Sequence, residues 1–137
     1  MYVDTSAVIK LIVVEDGSDV AAELWDSYPA ASSVLAYPEA RAALASARRH
    51  RRLTARGHDR AVAELDELNA ELAVVGVDEA LAQRAGELAE EHALRGYDAV
   101  HLASALALGS SETILVTWDR DLSNAALRAG LAVAPAL

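Results

Sequence analysis

The chain has 137 residues, 53% hydrophobic and 24% charged, which is enough for one domain with a real core and too apolar for a disordered segment. It has no cysteine, which excludes disulfides, zinc–thiolate sites and cysteine nucleophiles. A net charge of −9 counts against a nucleic-acid partner, but the charge is uneven. Residues 41–60 hold seven arginines and one acid, a balance of +6, while the other 117 residues carry −15. The apolar start, Met1 to Val14, is interrupted by Asp4 and Lys10 and lacks the basic leader of a secretion signal. No apolar run approaches the ~20 residues of a membrane span. The expectation is one domain over residues 1–137, cytoplasmic, with no membrane partner.

Short apolar runs alternate with longer helical patterns, the signature of a mostly parallel α/β sheet. Met1 to Val3 reads as a first strand ending at Asp4. Ser6 is placed to cap a helix through Val8, Ile9, Leu11 and Ile12, with Gly17 as its end. A second helix carries Ala21, Leu24 and Trp25, and Pro29 then introduces a strand from Ala30 to Ser32. Ser33 opens a long helix with Leu35, Ala36, Ala40, Ala43, Leu44 and Ala47 near period 3.6. Pro38 in its first turns predicts a kink or a start shifted toward Tyr37. Thr54 caps a further helix carrying Ala61, Leu65 and Leu68, and Leu72 to Val75 is a third strand. Glu79 to His92 is helical, with Gly96 as a stop. An apolar helix from Tyr97 to Leu108, a buried strand from Ile114 to Val116, a helix from Asp119 to Ala129 and a strand from Leu131 to Ala134 follow.

Most acids fall on faces that read as solvated, but four do not. Asp4 and Asp119 each lie just past the carboxyl end of a strand, where open parallel sheets bind ligands. Glu39 lies in the first turns of the helix after the second strand, and Asp98 opens an otherwise apolar helix. Helix capping explains an aspartate at any one of these places. It does not explain four carboxylates at one rim, which repel unless a cation neutralises them. A hard divalent ion with oxygen ligands, Mg²⁺ or Mn²⁺, suits such a set and acts on phosphate esters.

The ordered pieces Val3-Asp4-Thr5-Ser6-Ala7, Glu39 in the third helix, Tyr97-Asp98-Ala99-Val100-His101-Leu102-Ala103 and Thr117-Trp118-Asp119-Arg120-Asp121-Leu122 resemble the PIN-domain ribonucleases. In size and start the chain is most similar to the VapC toxins of toxin–antitoxin pairs. The resemblance spans essentially the whole chain. It implies a three-layer α/β/α sandwich and a divalent-metal-dependent endoribonuclease. Asp4, Glu39, Asp98 and Asp119 become the catalytic, metal-ligating acids. Ser6 and Thr117 become hydroxyls that orient a carboxylate or a water, with Asp121 as a candidate fifth acid. An RNA substrate, a small cognate antitoxin of the VapB kind and a homodimer are implied as partners. The homodimer also suits an Ala- and Leu-rich helical surface larger than one small sheet covers.

Arg48, Arg49, Arg51 and Arg52 read either as a solvated helix end or as a patch that contacts RNA phosphates. His101, one turn after Asp98 on an apolar helix, reads as a hydrogen-bonded core histidine. Trp118 is the one aromatic placed to meet a substrate. An aspartyl phosphatase would need a second aspartate where Ser6 stands, and a receiver domain a lysine late in the sheet, whereas Lys10 is the only lysine. A non-catalytic PIN-like module that binds nucleic acid is the remaining alternative.

Overall fold

The computed structural model describes residues 1–109 and 112–136. Among these, β1 (Tyr2–Val3), β2 (Ala31–Ser33), β3 (Ala73–Val75), β4 (Ile114–Val116) and β5 (Ala132–Ala134) form one sheet in the order β3-β2-β1-β4-β5. Every neighbouring pair is parallel, with Tyr2 opposite Ala31 and Leu115, and Val3 opposite Val116. The helices are α1 (Thr5–Ile12), α2 (Ser18–Ser27), α3 (Ala36–Arg49), α4 (Ala55–Glu71), α5 (Glu79–His92), α6 (Gly96–Ala107) and α7 (Arg120–Arg128).

Successive side chains of a strand point to opposite faces, so even a two-residue strand serves two cores. Tyr2 and Leu115 point to one side, where they pack with Leu88, Leu102, Leu122 and Ala126 from α5, α6 and α7. Val3 and Val116 point to the other, against Val8, Leu44 and Leu65 from α1, α3 and α4. A sheet covered on both faces needs apolar residues throughout its strands, which is why these runs do not alternate with polar residues. The result is the expected three-layer α/β/α sandwich. From β1 the chain builds β2 and β3 on one side, then returns to place β4 on the other. Strand order therefore reverses between β1 and β4, and the crevice lies beyond their carboxyl ends. Among the described residues, no helix is long and apolar enough to cross a membrane.

Several boundaries differ from the sequence expectation for local reasons. Asp4 rather than Ser6 caps α1, its side chain accepting the Ala7 N–H. Ser33 belongs to β2, and α3 starts at Ala36. Pro38 is then the third helical residue, where a missing N–H breaks no intrahelical bond and no kink is required. Gly96 begins α6 instead of stopping α5, which ends at Ala93 in a left-handed conformation with φ 56°. Helix α1 ends at Val13, whose N–H returns to the Ile9 carbonyl, well before Gly17.

Gly17 has another role. It leads into α2 with φ 88°, and a Cβ there would lie 2.6 Å from Trp118 Nε1. Lys10 covers the same indole, its Nζ 5.2 Å from the ring centroid. Lys10 also pairs with Glu15 at 2.8 Å and bonds the Asp16 carbonyl. Trp118 is thus packed against the α1–α2 turn and half-buried. Gly17→Ala combines a left-handed backbone with that collision, and is expected to cost about 2 kcal/mol or more. A shift of the urea midpoint, measured against wild type at unchanged slope, checks it.

Candidate active site

Asp4 follows β1 directly and is 4% exposed. Its Oδ1 accepts from Ala7 N at 2.9 Å and Ser6 Oγ at 2.7 Å, and its Oδ2 accepts from Thr117 Oγ1 at 2.6 Å. Burial pushes the carboxyl pKa up, and the bonds from Thr117, Ala7 and Ser6 oppose that shift. Both hydroxyls are committed in the same sense. Thr117 Oγ1 accepts the Asp119 N–H at 3.0 Å, and Ser6 Oγ accepts the Trp118 N–H at 2.9 Å. A backbone N–H only donates, so each hydroxyl proton is left to point at Asp4. These bonds lock the loop after β4 to the acid after β1.

Asp119 sits in that loop and caps α7, its Oδ1 accepting Leu122 N at 2.9 Å. Glu39 reaches the same rim from the first turns of α3, with its side chain 25% exposed. Its Oε2 accepts from the Thr5 hydroxyl and from His101 Nε2, the latter at 2.8 Å. Burial alone would raise the Glu39 pKa, but the His101 and Thr5 bonds outweigh it and hold the carboxyl below its usual value. Asp98 lies in the first turn of α6, three residues before His101 and so on the same helical face. It caps nothing, and no protein donor meets it among the described residues. Burial raises its pKa, and the charges of Asp119 and Glu39 raise it further, against Arg95 and His101.

Asp98 therefore shares one electrostatic neighbourhood with Asp119 and Glu39, and Asp4 is tied to it through Thr117 and the charge of His101, each acid on a different element. Among the described residues no three Asp, Glu or His side chains stand close enough to form a ready cage. Three of the acids turn instead to protein donors, and at Asp98 burial and the two acids outweigh the charges of Arg95 and His101. This donor set is all-oxygen and anionic, which fits a hard cation that keeps some of its own waters, as Mg²⁺ does. Asp121 is exposed in the first turn of α7. Arg48 and Arg49 end α3, and Arg51 and Arg52 follow in the turn before α4. All four arginines are exposed, and none has an ion-pair partner among the described residues.

Two contributors were not singled out from the sequence: Thr5, which donates to Glu39, and Tyr2, whose hydroxyl lies 2.7 Å from His101 Nδ1. His101 is buried and hydrogen-bonded as expected, but its partner is an acid of the rim.

A PIN-domain family model matches residues 1–127. The chain is 48% identical over 137 residues to Ribonuclease VapC49 of Mycobacterium tuberculosis, covering 99% of this chain and 95% of that one. The structure of PAE2754 from Pyrobaculum aerophilum superposes with a TM-score of 0.68 at 26% identity, over 96% of this chain and 88% of the other. A toxin–antitoxin complex from Klebsiella pneumoniae shares the fold, with a TM-score of 0.65 at 18% identity and 89% of each chain covered.

The electrostatics of Asp98 make a stability prediction independent of any reaction. Its raised pKa means the folded state binds its proton more tightly than the unfolded state does. Ionised Asp98 therefore destabilises the fold, increasingly as pH rises through that pKa. Asp98→Asn is expected to raise the melting temperature of chelator-treated protein by a few degrees at pH 7.5. The gain should shrink as pH falls toward the range where Asp98 is protonated. Thermal melts of both proteins across pH 4 to 8 measure it.

Proposed function

The chain belongs to the PIN-domain family, and from that premise we propose that it is a divalent-metal-dependent endoribonuclease, the toxin of a toxin–antitoxin pair. The observation that carries the reading is the convergence of Asp4, Glu39, Asp98 and Asp119 from four elements on the β1–β4 crevice, with Asp98 raised by its acidic neighbours. The 48% identity to a ribonuclease of the VapC group supports the same activity.

In this reading the four acids hold Mg²⁺ or Mn²⁺, directly or through water. When bound, such an ion supplies Lewis acidity to a phosphate oxygen and makes a coordinated water a better nucleophile. The chain's own task is to place charge. Asp4 is held rigidly by Ser6, Ala7 and Thr117. Glu39 is held by Thr5 and His101, while Asp98 has no donor to give up when a cation arrives. Ser6 and Thr117 act through Asp4, and Asp121, exposed in the first turn of α7, stays the candidate fifth acid. Cleavage of RNA is expected to stop in chelator and return with Mg²⁺ or Mn²⁺. Asp4→Asn combined with Asp98→Asn should lower the rate by more than about 100-fold with the fold retained. Normal cleavage by that double variant refutes the assignment.

Arg48, Arg49, Arg51 and Arg52 supply the substrate contact that an acidic rim cannot. Helix α3 runs from Glu39 to Arg48 over nine residues, about 13 Å of axis and half a turn out of phase, so a strand that meets both crosses the helix. The two other partners follow from the same surfaces. An antitoxin arginine suits the acidic crevice, since a guanidinium pairs with two carboxylate oxygens and keeps its charge. A second copy would cover exposed apolar residues such as Tyr97, 63% exposed beside Asp98. Replacing the four arginines by glutamine should flatten the salt dependence of RNA affinity by up to about three units of log–log slope, roughly 0.7 for each phosphate no longer neutralised. Binding titrations of a catalytically silent variant at several salt concentrations measure it, and an unchanged slope returns the arginines to solvent.

A further inference from the structure

His101 is 2% exposed and Tyr2 is fully buried, yet both are polar and both lie on the path to Glu39. Tyr2 Oη stands 2.7 Å from His101 Nδ1, and His101 Nε2 stands 2.8 Å from Glu39 Oε2. The ring of Tyr2 also packs edge-on against the imidazole, with centroids 5.9 Å apart. The direction of these bonds is settled by a third contact. The Ser33 N–H meets Tyr2 Oη at 3.0 Å and only donates, so the phenol accepts there and its own proton is free to donate. Burial raises the Tyr2 pKa further above its ordinary value, so that proton stays in place. The nearest acceptor is His101 Nδ1. A neutral imidazole carries one proton, and with Nδ1 accepting it must be on Nε2, facing Glu39.

We propose that Tyr2 and His101 form a positioning relay, in which the buried phenol selects the Nε2–H tautomer of His101 and the imidazole then fixes the Glu39 carboxylate for cation binding. The proposal rests on the reading of Glu39 as a metal-ligating acid of the nuclease. Neither relay residue touches substrate or cation. Their effect is to keep one orientation of Glu39 ready, as outer hydrogen bonds do for metal ligands generally. The relay runs from β2 through β1 to α6 on one face of the sheet and ends on α3 of the other.

The relay makes a specific pattern among variants. Tyr2→Phe removes the phenol proton that Nδ1 accepts, so that only Glu39 and Thr5 hold the imidazole in its Nε2–H form and the ring loses its buried anchor. His101→Leu removes the donor, whereas His101→Gln keeps an N–H near the Nε2 position without a tautomer to choose. Isothermal titration with Mn²⁺ should show 10- to 100-fold weaker binding for Tyr2→Phe and His101→Leu. His101→Gln should stay within about threefold of wild type, and adding Tyr2→Phe to it should change Mn²⁺ affinity no further. Nitrogen-15 spectra of labelled histidine should report Nε2–H with a hydrogen-bonded, accepting Nδ1 in wild type, and a shifted Nδ1 resonance in Tyr2→Phe. Excess Mn²⁺ should restore cleavage in both weakened variants, because the acids themselves are intact. Melting curves on every variant separate a loss of fold from a loss of positioning, with His101→Gln as the folded control. Wild-type binding of Mn²⁺ with unchanged affinity in His101→Leu overturns the relay alone. Wild-type protein that binds no Mn²⁺ overturns both the relay and the reading of the site beneath it.

Discussion

A carboxylate buried where two central strands end is the constraint on which the rest of this structure depends. Removing Asp4 from water is costly unless donors surround it, and here they come from α1 itself and from the loop after β4. Meeting that requirement starts α1, holds the β4–α7 loop against β1 and leaves Asp119 beside the same crevice. One buried anion thereby serves as a helix cap and as a link between elements 113 residues apart. A neutral residue could cap the helix equally well. It could not draw both hydroxyl protons inward, and it would not give the rim its charge.

The parallel topology explains why four acids from distant parts of the chain arrive together. Each strand delivers its carboxyl end to one edge, where α1, α3, α5 and α7 start, whereas α6, which carries Asp98, follows α5 and is set at the rim by its packing. Asp4 and Asp119 are end-of-strand residues that cap the next helix, while Glu39 and Asp98 lie in the first turns of theirs. Negative charge near helix amino termini is favourable, so the fold tolerates locally what it resists collectively. The tolerance is uneven. Glu39 is held below its ordinary pKa by two donors, and Asp98 is pushed above its own by burial and two acids. Charge is thus better satisfied on one side of the crevice than on the other.

Much of this was legible in the chain because local and global signals agree. The helix from Glu79 to His92 and the strand from Ile114 to Val116 have the bounds that periodicity predicts. Asp4 and Asp119 read as end-of-strand residues, and Glu39 and Asp98 as residues of first helical turns, because strand ends and helix starts are local patterns. Errors fell where two residues compete for one role. Ser6 reads as a cap, but its hydroxyl proton goes to Asp4, which then caps in its place. Gly17 and Gly96 read as stops, yet Val13 and Ala93 end those helices without them. The contact between Tyr2 and His101 spans 99 residues and leaves no periodic trace. Only the topology, which sets β1 against α6, brings them together.

The distribution of charge answers the objection that a net −9 raises against an RNA partner. Association with a polyanion is governed by the local field near the approaching surface, and screening limits that field to about 8–10 Å at ordinary ionic strength. The exposed arginines at the far end of α3 lie more than one such length from Glu39 along the helix axis. A phosphate meeting that end is therefore attracted with little opposition from the crevice. At the crevice the sign is reversed, and a bare acidic rim would repel the backbone it is meant to cut. On the proposed reading a divalent cation there would invert the local field, and binding and cleavage would then draw on different charges at opposite ends of one helix. The acidic remainder of the surface would repel RNA approaching elsewhere.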